Sequence, residues 1–493
     1  MNKQNRLKAI MFVGTGSDVG KSVVNTGFCR IFKQDGYSPV PFKAQNMSLN
    51  SFATSDNLEI GRAQAVQAEA CGVKCTTDMN PILLKPTTHM SSQVVLNGKP
   101  AGNKSAVDYF RDDNRAELLV HAQRAFDRLA ESYNPVVLEG AGSISEVNLW
   151  DKDIVNMRMA EYADAVTILV ADIDRGGVFA SVYGSIMLLP PHQRKLIKGV
   201  IINKFRGDIR LFDGGRAKLE ELTGVPVLGV LPLFEDIEIE QEDSVALERR
   251  DRVAKNEGDI KIAVVMLRSI SNFTDFNILE RTKGVNLNYA TSAREIEEAD
   301  IVIIPGSKST ISDIKYLRDN GLAQAILNHH HAEKPLYGIC GGFQIMGEMV
   351  YDPQHIEGEV ESIPALGILP ISTTIEGGKV TRQSTFKMVH GGCEGIGYEI
   401  HAGVTHSNSP LVTLADGTTE GYYLSGKCWG SYLHGIFDNR GVVEMILSQV
   451  EHRSSDVEVE DYEASKERNY DLLAQHIRQH VDMNQIYNLL KTN

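Results

Sequence analysis

At 493 residues the chain is long enough for two or three domains, each able to bury its own core. Hydrophobic residues make up 42% and charged residues 23%, the balance of a soluble globular protein. A formal charge of −14 excludes a protein that coats nucleic acid, which needs clustered Lys and Arg, yet leaves room for a small anionic substrate in the local field of a cleft. No apolar run reaches the roughly eighteen residues of a membrane span, and polar Met1 to Lys8 runs straight into a strand-like segment, so no membrane association and a cytoplasmic location are expected. The six cysteines (Cys29, Cys71, Cys75, Cys340, Cys393, Cys428) form no paired framework, and Cys71-x-x-x-Cys75 lacks a second half for a zinc site; reduced thiols are expected.

In chain order, apolar runs at Ile10–Val13, Pro39–Phe42, Pro135–Leu138, Val166–Val170, Gly199–Ile202 and Val227–Val230 alternate with amphipathic stretches. Near-continuous Val/Ile/Leu strands of this kind belong to a parallel sheet covered on both faces. From Leu247 to Asp259 the sequence turns strongly charged (Glu248-Arg249-Arg250-Asp251-Arg252), which marks a linker. A second alternating set follows, with strands at Ile262–Leu267, Ile301–Ile304 and Leu336–Ile339, then short strands and turns to about Phe437. Leu472, Leu473, His476, Ile477 and Val481 fall at helical spacing. The expected fold class is α/β with two doubly wound domains: residues 1–247, a charged linker at 248–260, residues 261–452, and a helical extension at 453–493.

Gly14-Thr15-Gly16-Ser17-Asp18-Val19-Gly20-Lys21-Ser22 separates the first strand from an amphipathic stretch. A strand, glycine-rich turn and helix surround phosphate oxygens with backbone N–H groups. Gly16, Asp18, Gly20, Lys21 and Ser22 are therefore expected to bind ATP, with Lys21 on the terminal phosphates and the Ser22 hydroxyl on Mg²⁺. The usual loop has four residues between its first Gly and the Gly-Lys pair, whereas Gly14 and Gly20 enclose five. Glu139 ends the buried Val136-Val137-Leu138 strand at the edge where ligands gather in such sheets, and is expected at the metal beside Ser22. Asn203 ends another strand and could present its amide to a purine edge. Asp172, Asp174 and Arg175 are similarly placed, for substrate or for a salt bridge.

Leu336-Tyr337-Gly338-Ile339-Cys340-Gly341-Gly342-Phe343-Gln344 has different logic. The glycines permit a strained turn that exposes Cys340 as a nucleophile between strand and helix, and a helix N-terminus behind the thiol would lower its pKa. His434 in Tyr432-Leu433-His434-Gly435 is the expected general acid/base. The N–H of Gly341 and one from Pro305-Gly306-Ser307 would hold an oxyanion, with Gln344 in the same glutamine pocket. His329-His330-His331 reads as solvated helix.

On these residues the second half resembles the class I glutamine amidotransferases, whose domain is flavodoxin-like, and the first half resembles the dethiobiotin-synthetase-like ATPases, which share the lengthened loop. With Pro41–Asn50, Glu59–Gln64, Asp78-Met79-Asn80-Pro81, Asp153–Met157, Ser271-Asn272-Phe273-Thr274-Asp275-Phe276 and Gly397-Tyr398-Glu399-Ile400-His401, the resemblance extends from about residue 9 to residue 440. Over that length the chain is similar to the cobyric acid synthase family of corrin amidases. The resemblance implies that Cys340 and His434 release ammonia from glutamine, while ATP and Mg²⁺ activate carboxylates b, d, e and g of adenosylcobyrinic acid a,c-diamide as acyl phosphates. It also implies a corrin site in the first domain and a sheltered path for ammonia. Small-molecule substrates are the expected partners, a homo-oligomer being compatible with them. Two related readings stay open, a cobyrinic acid a,c-diamide synthase and a cell-wall amidotransferase acting on a lipid-linked substrate, with a partition-type switch ATPase as the distant one. Most class I amidotransferases carry a Glu two residues after the His, where this chain has Ile436. Asp438 is near in sequence, but what orients His434 is left open.

Overall fold

The computed structural model describes residues 6–88, 91–105, 112–240, 260–451 and 457–491. The charged linker expected at 248–260 lies outside them except for Ile260. The chain divides into two compact units, each drawn from separated segments: residues 1–47, 60–240 and 466–493 form the first, and residues 48–59 and 241–465 the second.

The first unit is built on six parallel strands in the order Val227–Pro232, Ile197–Phe205, Val166–Asp172, Ile10–Gly14, Val136–Glu139 and Val40–Phe42. All seven residues of Val166–Asp172 and all five of Ile10–Gly14 are buried, which is why these strands read as unbroken apolar runs. A four-stranded sheet of Gln45–Met47, Ile82–Thr88, Ser91–Leu96 and Lys99–Ser105 accompanies it. The helix Lys21–Gln34 places Phe28 against Phe12, ring centroids 4.7 Å apart; burying a side chain of this size is worth about 1.5–3 kcal/mol.

The expected C-terminal helix is present as Tyr462–His480, followed by Met483–Leu490. From Lys466 on it belongs to the first unit, where Leu473, Ile477, Val481, Ile486 and Leu490 join the core of Ile10, Phe12 and Phe28. Gly27 makes this approach possible, since a Cβ there would lie 2.2 Å from Ile477 Cδ1. Arg30 adds ion pairs to Glu467 (2.8 Å) and Asp471 (2.6 Å).

In the second unit the strands Val285–Ala290, Ile260–Val265, Ile301–Ile304, Leu336–Ile339 and Cys428–Ser431 run parallel in that order, with Tyr422–Ser425 antiparallel at the edge. Both units therefore have the doubly wound α/β class read from the sequence. A second sheet departs from the short strands expected before Phe437. Its centre is a long antiparallel pair, Ser372–Met388 with Glu394–Thr405, and Leu433–His434 joins its side. Much of that pair is exposed, so it lacks the apolar run that signals a strand. His329 departs from the solvated reading: it is buried on the helix Leu322–His331, its Nε2 lies 3.0 Å from the Pro335 carbonyl, and burial pushes its pKa down to about 4. The six cysteines are free, and no described helix is long and apolar enough to cross a membrane.

Candidate active sites

In the first unit the phosphate loop joins the strand Ile10–Gly14 to the helix Lys21–Gln34. Its additional residue is absorbed by left-handed backbone at Asp18 (φ 58°) and Gly20 (φ 96°), a conformation that Asp tolerates and Gly adopts freely. Gly20 must be glycine for a second reason: a Cβ there would lie 2.1 Å from Asn203 Nδ2. That amide donates to the Val19 carbonyl at 2.9 Å, so Asn203 braces the loop. Lys21 Nζ donates to the carbonyls of Gly16 and Gly142, each at 2.9 Å.

Glu139 is buried at the end of its strand and receives three donors. Ser22 Oγ (2.8 Å) and Lys43 Nζ (2.9 Å) donate to Oε1, and Gln67 Nε2 (2.6 Å) donates to Oε2. Lys43 keeps this carboxylate paired where water cannot, and removing one partner of a buried pair costs about 3–5 kcal/mol. Among the described residues no three His, Cys, Asp or Glu side chains gather as a metal cage. A hydroxyl and one carboxylate are nevertheless the hard oxygen donors that suit Mg²⁺ when phosphates and water complete its shell, so Ser22 and Glu139 fit that ion. Asp172 pairs with Lys204 at 2.9 Å, Asp174 with Arg206 at 2.6 Å, and Arg175 with Asp18 at 3.5 Å.

In the second unit Cys340 stands between the strand Leu336–Ile339 and the short helix Gly341–Ile345 at φ 52°, ψ −107°, the backbone strain expected of the elbow, but the residue is buried rather than exposed, because strand and helix close over it. The glycines after it are required by close packing. A Cβ on Gly342 would lie 1.9 Å from the Ile304 carbonyl oxygen, and one on Gly341 would lie 2.6 Å from the Ser307 nitrogen. Gly341 and the Gly306-Ser307 turn are thus neighbours, as an oxyanion pocket needs. Gly306 faces His434 as well, since its Cβ would sit 3.2 Å from His434 Cε1. Gln344 is held by Thr310 Oγ1, which donates to its Oε1 at 2.8 Å, and by Tyr432 OH, 3.3 Å from its Nε2.

His434 feels the charge of Cys340 and presents Nδ1 to Asp275 Oδ2 at 2.7 Å. The carboxylate on the imidazole is therefore Asp275 rather than the adjacent Asp438. Its other oxygen accepts the Gly435 N–H at 2.9 Å, so both sides of the carboxylate are fixed. Burial pushes the imidazole pKa down, but negative charge on Asp275 and Cys340 outweighs it and raises the value to about 10. The imidazole therefore carries its proton at neutral pH. Tyr398 stacks on the ring, centroids 5.4 Å apart, and the Cys340 thiol faces the Ile400 carbonyl at 3.8 Å.

Asp275, Tyr398, Lys43 and Gln67 were not assigned roles from the sequence. Asp275 lies 159 positions from His434, and only its place within Ser271–Phe276 marked it. Asp313 was also missed: it accepts from Ser307 Oγ at 2.6 Å and from the Arg268 N–H at 3.1 Å, and so braces the turn beside Gly341. Burial raises its pKa to about 6 against these hydrogen bonds.

A parallel sheet bearing a Cys–His–Asp constellation, in a chain that also carries a P-loop unit, defines an ATP-using glutamine amidotransferase. Comparison with known families agrees: residues 10–245 match the CobQ/CobB/MinD/ParA nucleotide binding domain and residues 261–442 the CobB/CobQ-like glutamine amidotransferase domain. Curated relatives align end to end. The chain is 56% identical to the cobyric acid synthase of Bacteroides fragilis over 100% of both chains. It is 54% identical to that of Phocaeicola vulgatus, covering 99% of this chain and 100% of the relative, and 44% identical to that of Yersinia enterocolitica, covering 98% of each. The chain belongs to the cobyric acid synthase family, the ATP-dependent glutamine amidotransferases of cobalamin biosynthesis.

Proposed function

We propose that this chain, acting in the cytoplasm, converts the b, d, e and g carboxylates of adenosylcobyrinic acid a,c-diamide to carboxamides, with glutamine as nitrogen donor and ATP as the activating reagent. The observation that carries the reading is the Cys340–His434–Asp275 constellation on a strained elbow, in a chain with full-length similarity to the corrin amidases.

The Cys340 thiolate attacks the side-chain carboxamide carbon of glutamine, and the oxyanion forms against the N–H groups of Gly341 and the Gly306-Ser307 turn. His434 gives its proton to the departing nitrogen as the C–N bond breaks, leaving ammonia and a thioester. Water, deprotonated by the now neutral imidazole, releases glutamate and regenerates the thiol. Asp275 is a positioning residue, holding Nδ1 so that the opposite edge of the ring meets sulfur and substrate.

A bare carboxylate resists attack by ammonia, so the acceptor is phosphorylated first and phosphate leaves as the amide bond forms. Lys21 and the loop N–H groups bind and neutralise the ATP phosphates, with Gly16, Asp18 and Gly20 shaping the loop. Ser22 and Glu139 would hold Mg²⁺, whose charge would offset that of the phosphates. Asn203 supports the loop and borders the nucleotide.

Incubating the purified protein with ATP, Mg²⁺, glutamine and the a,c-diamide, and following the corrin by mass spectrometry, tests the reading. Successive acid-to-amide conversions are expected; a corrin that leaves unchanged while glutamine is consumed excludes this substrate.

A further inference from the structure

Four of the motifs in which the chain resembles its family, Pro41–Asn50, Glu59–Gln64, Asp78–Pro81 and Gly397–His401, have no part in the reactions above, and they converge on one segment. The chain leaves the first unit after Met47, spends residues 48–59 in the second, and returns at Ile60. We propose that this arm is a coupling element, reporting the state of the ATP-using unit to His434 through Phe52 and Tyr398. The inference rests on the function proposed above.

The tip of the arm meets the neighbours of every group in the glutaminase constellation. Phe52 packs edge-on to Tyr398, ring centroids 4.7 Å apart, and Tyr398 in turn stacks on His434. Ala53, Tyr398 and Ile400 form one buried apolar cluster, and the Ile400 carbonyl faces the Cys340 thiol. The Ser51 N–H donates to Asn272 Oδ1 at 2.9 Å, and Asn272 begins the turn that carries Asp275. Gln383 Nε2 donates to the Ala53 carbonyl at 2.7 Å, and buried Glu59 pairs with Lys379. The arm is also stiff: the Thr54 N–H reaches the Leu58 carbonyl at 2.7 Å across a turn with Asn57 at φ 62°.

In the first unit both roots of the arm are tied to the residues around Glu139. Asn80 donates to the Lys43 carbonyl at 3.0 Å and accepts from the Gly61 N–H at 3.3 Å, clamping the outgoing and returning strands together. Asn46 Nδ2 donates to Gln64 Oε1 at 3.0 Å over the same point, and a Cβ on Gly61 would lie within 3.0 Å of Asn46, Asn80 and Gln64. Lys43 itself holds Glu139, which accepts from Ser22 of the phosphate loop. A shift at Glu139 therefore has a hydrogen-bonded route to the arm, and the arm has contacts through which to reorient His434 and Asp275. Continuity alone is not coupling, so the test measures coupling.

Glutamate release and amide formation from free ammonia are compared for wild type, Phe52→Ala, Phe52→Leu and Phe52→Tyr, with and without ATP, Mg²⁺ and the a,c-diamide. In wild type the acceptor and ATP raise the glutaminase kcat. In Phe52→Ala that stimulation falls about tenfold, a usual size for coupling between two sites, while kcat and KM for ammonia-dependent amidation stay unchanged; Phe52→Tyr, which keeps the ring, restores the stimulation. Phe52→Leu replaces the Ala variant if the latter is unstable. Full stimulation in both truncated variants, no stimulation in wild type, or an equal loss of ammonia-dependent amidation overturns the proposal. If wild type forms no amide from ammonia, the substrate reading fails instead, and the arm is judged by the same comparison with ATP and Mg²⁺ alone.

Discussion

The two sites are assembled in opposite ways. The nucleotide site is largely one contiguous loop, Gly14 to Ser22, buttressed by strand ends at Glu139 and Asn203. The proposed glutaminase site is drawn from four places far apart in the chain, Asp275, Gly306, Cys340 and His434, brought together by strand order and register. A contiguous loop is held by its own backbone geometry; a distributed site is held by packing, so its positioning residues matter as much as its nucleophile.

The sharpest way to break this comparison is a pair of substitutions expected to fail in complementary ways. Cys340→Ala removes the proposed nucleophile and should lower glutamine-dependent amidation at least about 10³-fold, leaving amidation from ammonia intact. Lys21→Ala should lower amidation from both nitrogen sources, by about 10²–10³-fold if one preorganised charge contact is lost. Steady-state assays with each nitrogen source decide the matter, and ammonia-dependent product from the Lys21 variant would contradict the assignment of the loop.

Asp275→Asn is expected to come next, with a glutaminase loss of about 10²–10⁴-fold and a displaced pH profile. The imidazole pKa is raised to about 10 in the folded protein, above the usual value near 6.5. The stabilising ion pair is therefore fully present below the usual value and is lost as pH rises through about 10. Removing the Asp275 charge leaves burial to pull the imidazole down, so the alkaline fall of glutaminase kcat/KM should begin at lower pH in the variant. An unshifted alkaline limb would show that Asp275 does not set the protonation of His434.

How much of this was legible in the sequence follows from the same contrast. The parallel strands announced themselves because both faces are buried, and the loop and elbow because glycine spacing is a local signal. Asp275 did not, since a carboxylate 159 positions away acquires its role only when the Phe273–Phe276 turn meets the strand Leu433–His434. Helical spacing disclosed the C-terminal helix, yet not that Ile477 would pack over Gly27. The segment 48–59 reads as an ordinary continuation of the first domain, because nothing in a linear pattern reveals that its tip meets Tyr398.

The smallest expected effects compare two glycines. Gly342 sits where a Cβ would be 1.9 Å from a backbone oxygen of Ile304, while at Gly16 the nearest atom is Val19 Cγ1 at 3.6 Å, an ordinary contact. Gly342→Ala must displace strand against helix, so about 1–3 kcal/mol of stability should be lost, together with most glutaminase activity. Gly16→Ala meets no such obstacle, and removing glycine freedom from the unfolded chain works slightly in its favour. Its Tm should hold or rise by an amount equivalent to less than about 1 kcal/mol, with any penalty confined to KM for ATP, where an added methyl would meet the phosphates. Thermal unfolding and ATP titration of both variants separate the cases: a fall in Tm for Gly16→Ala would mean that the loop, too, is held by packing, and the contrast between the two sites would lose its basis.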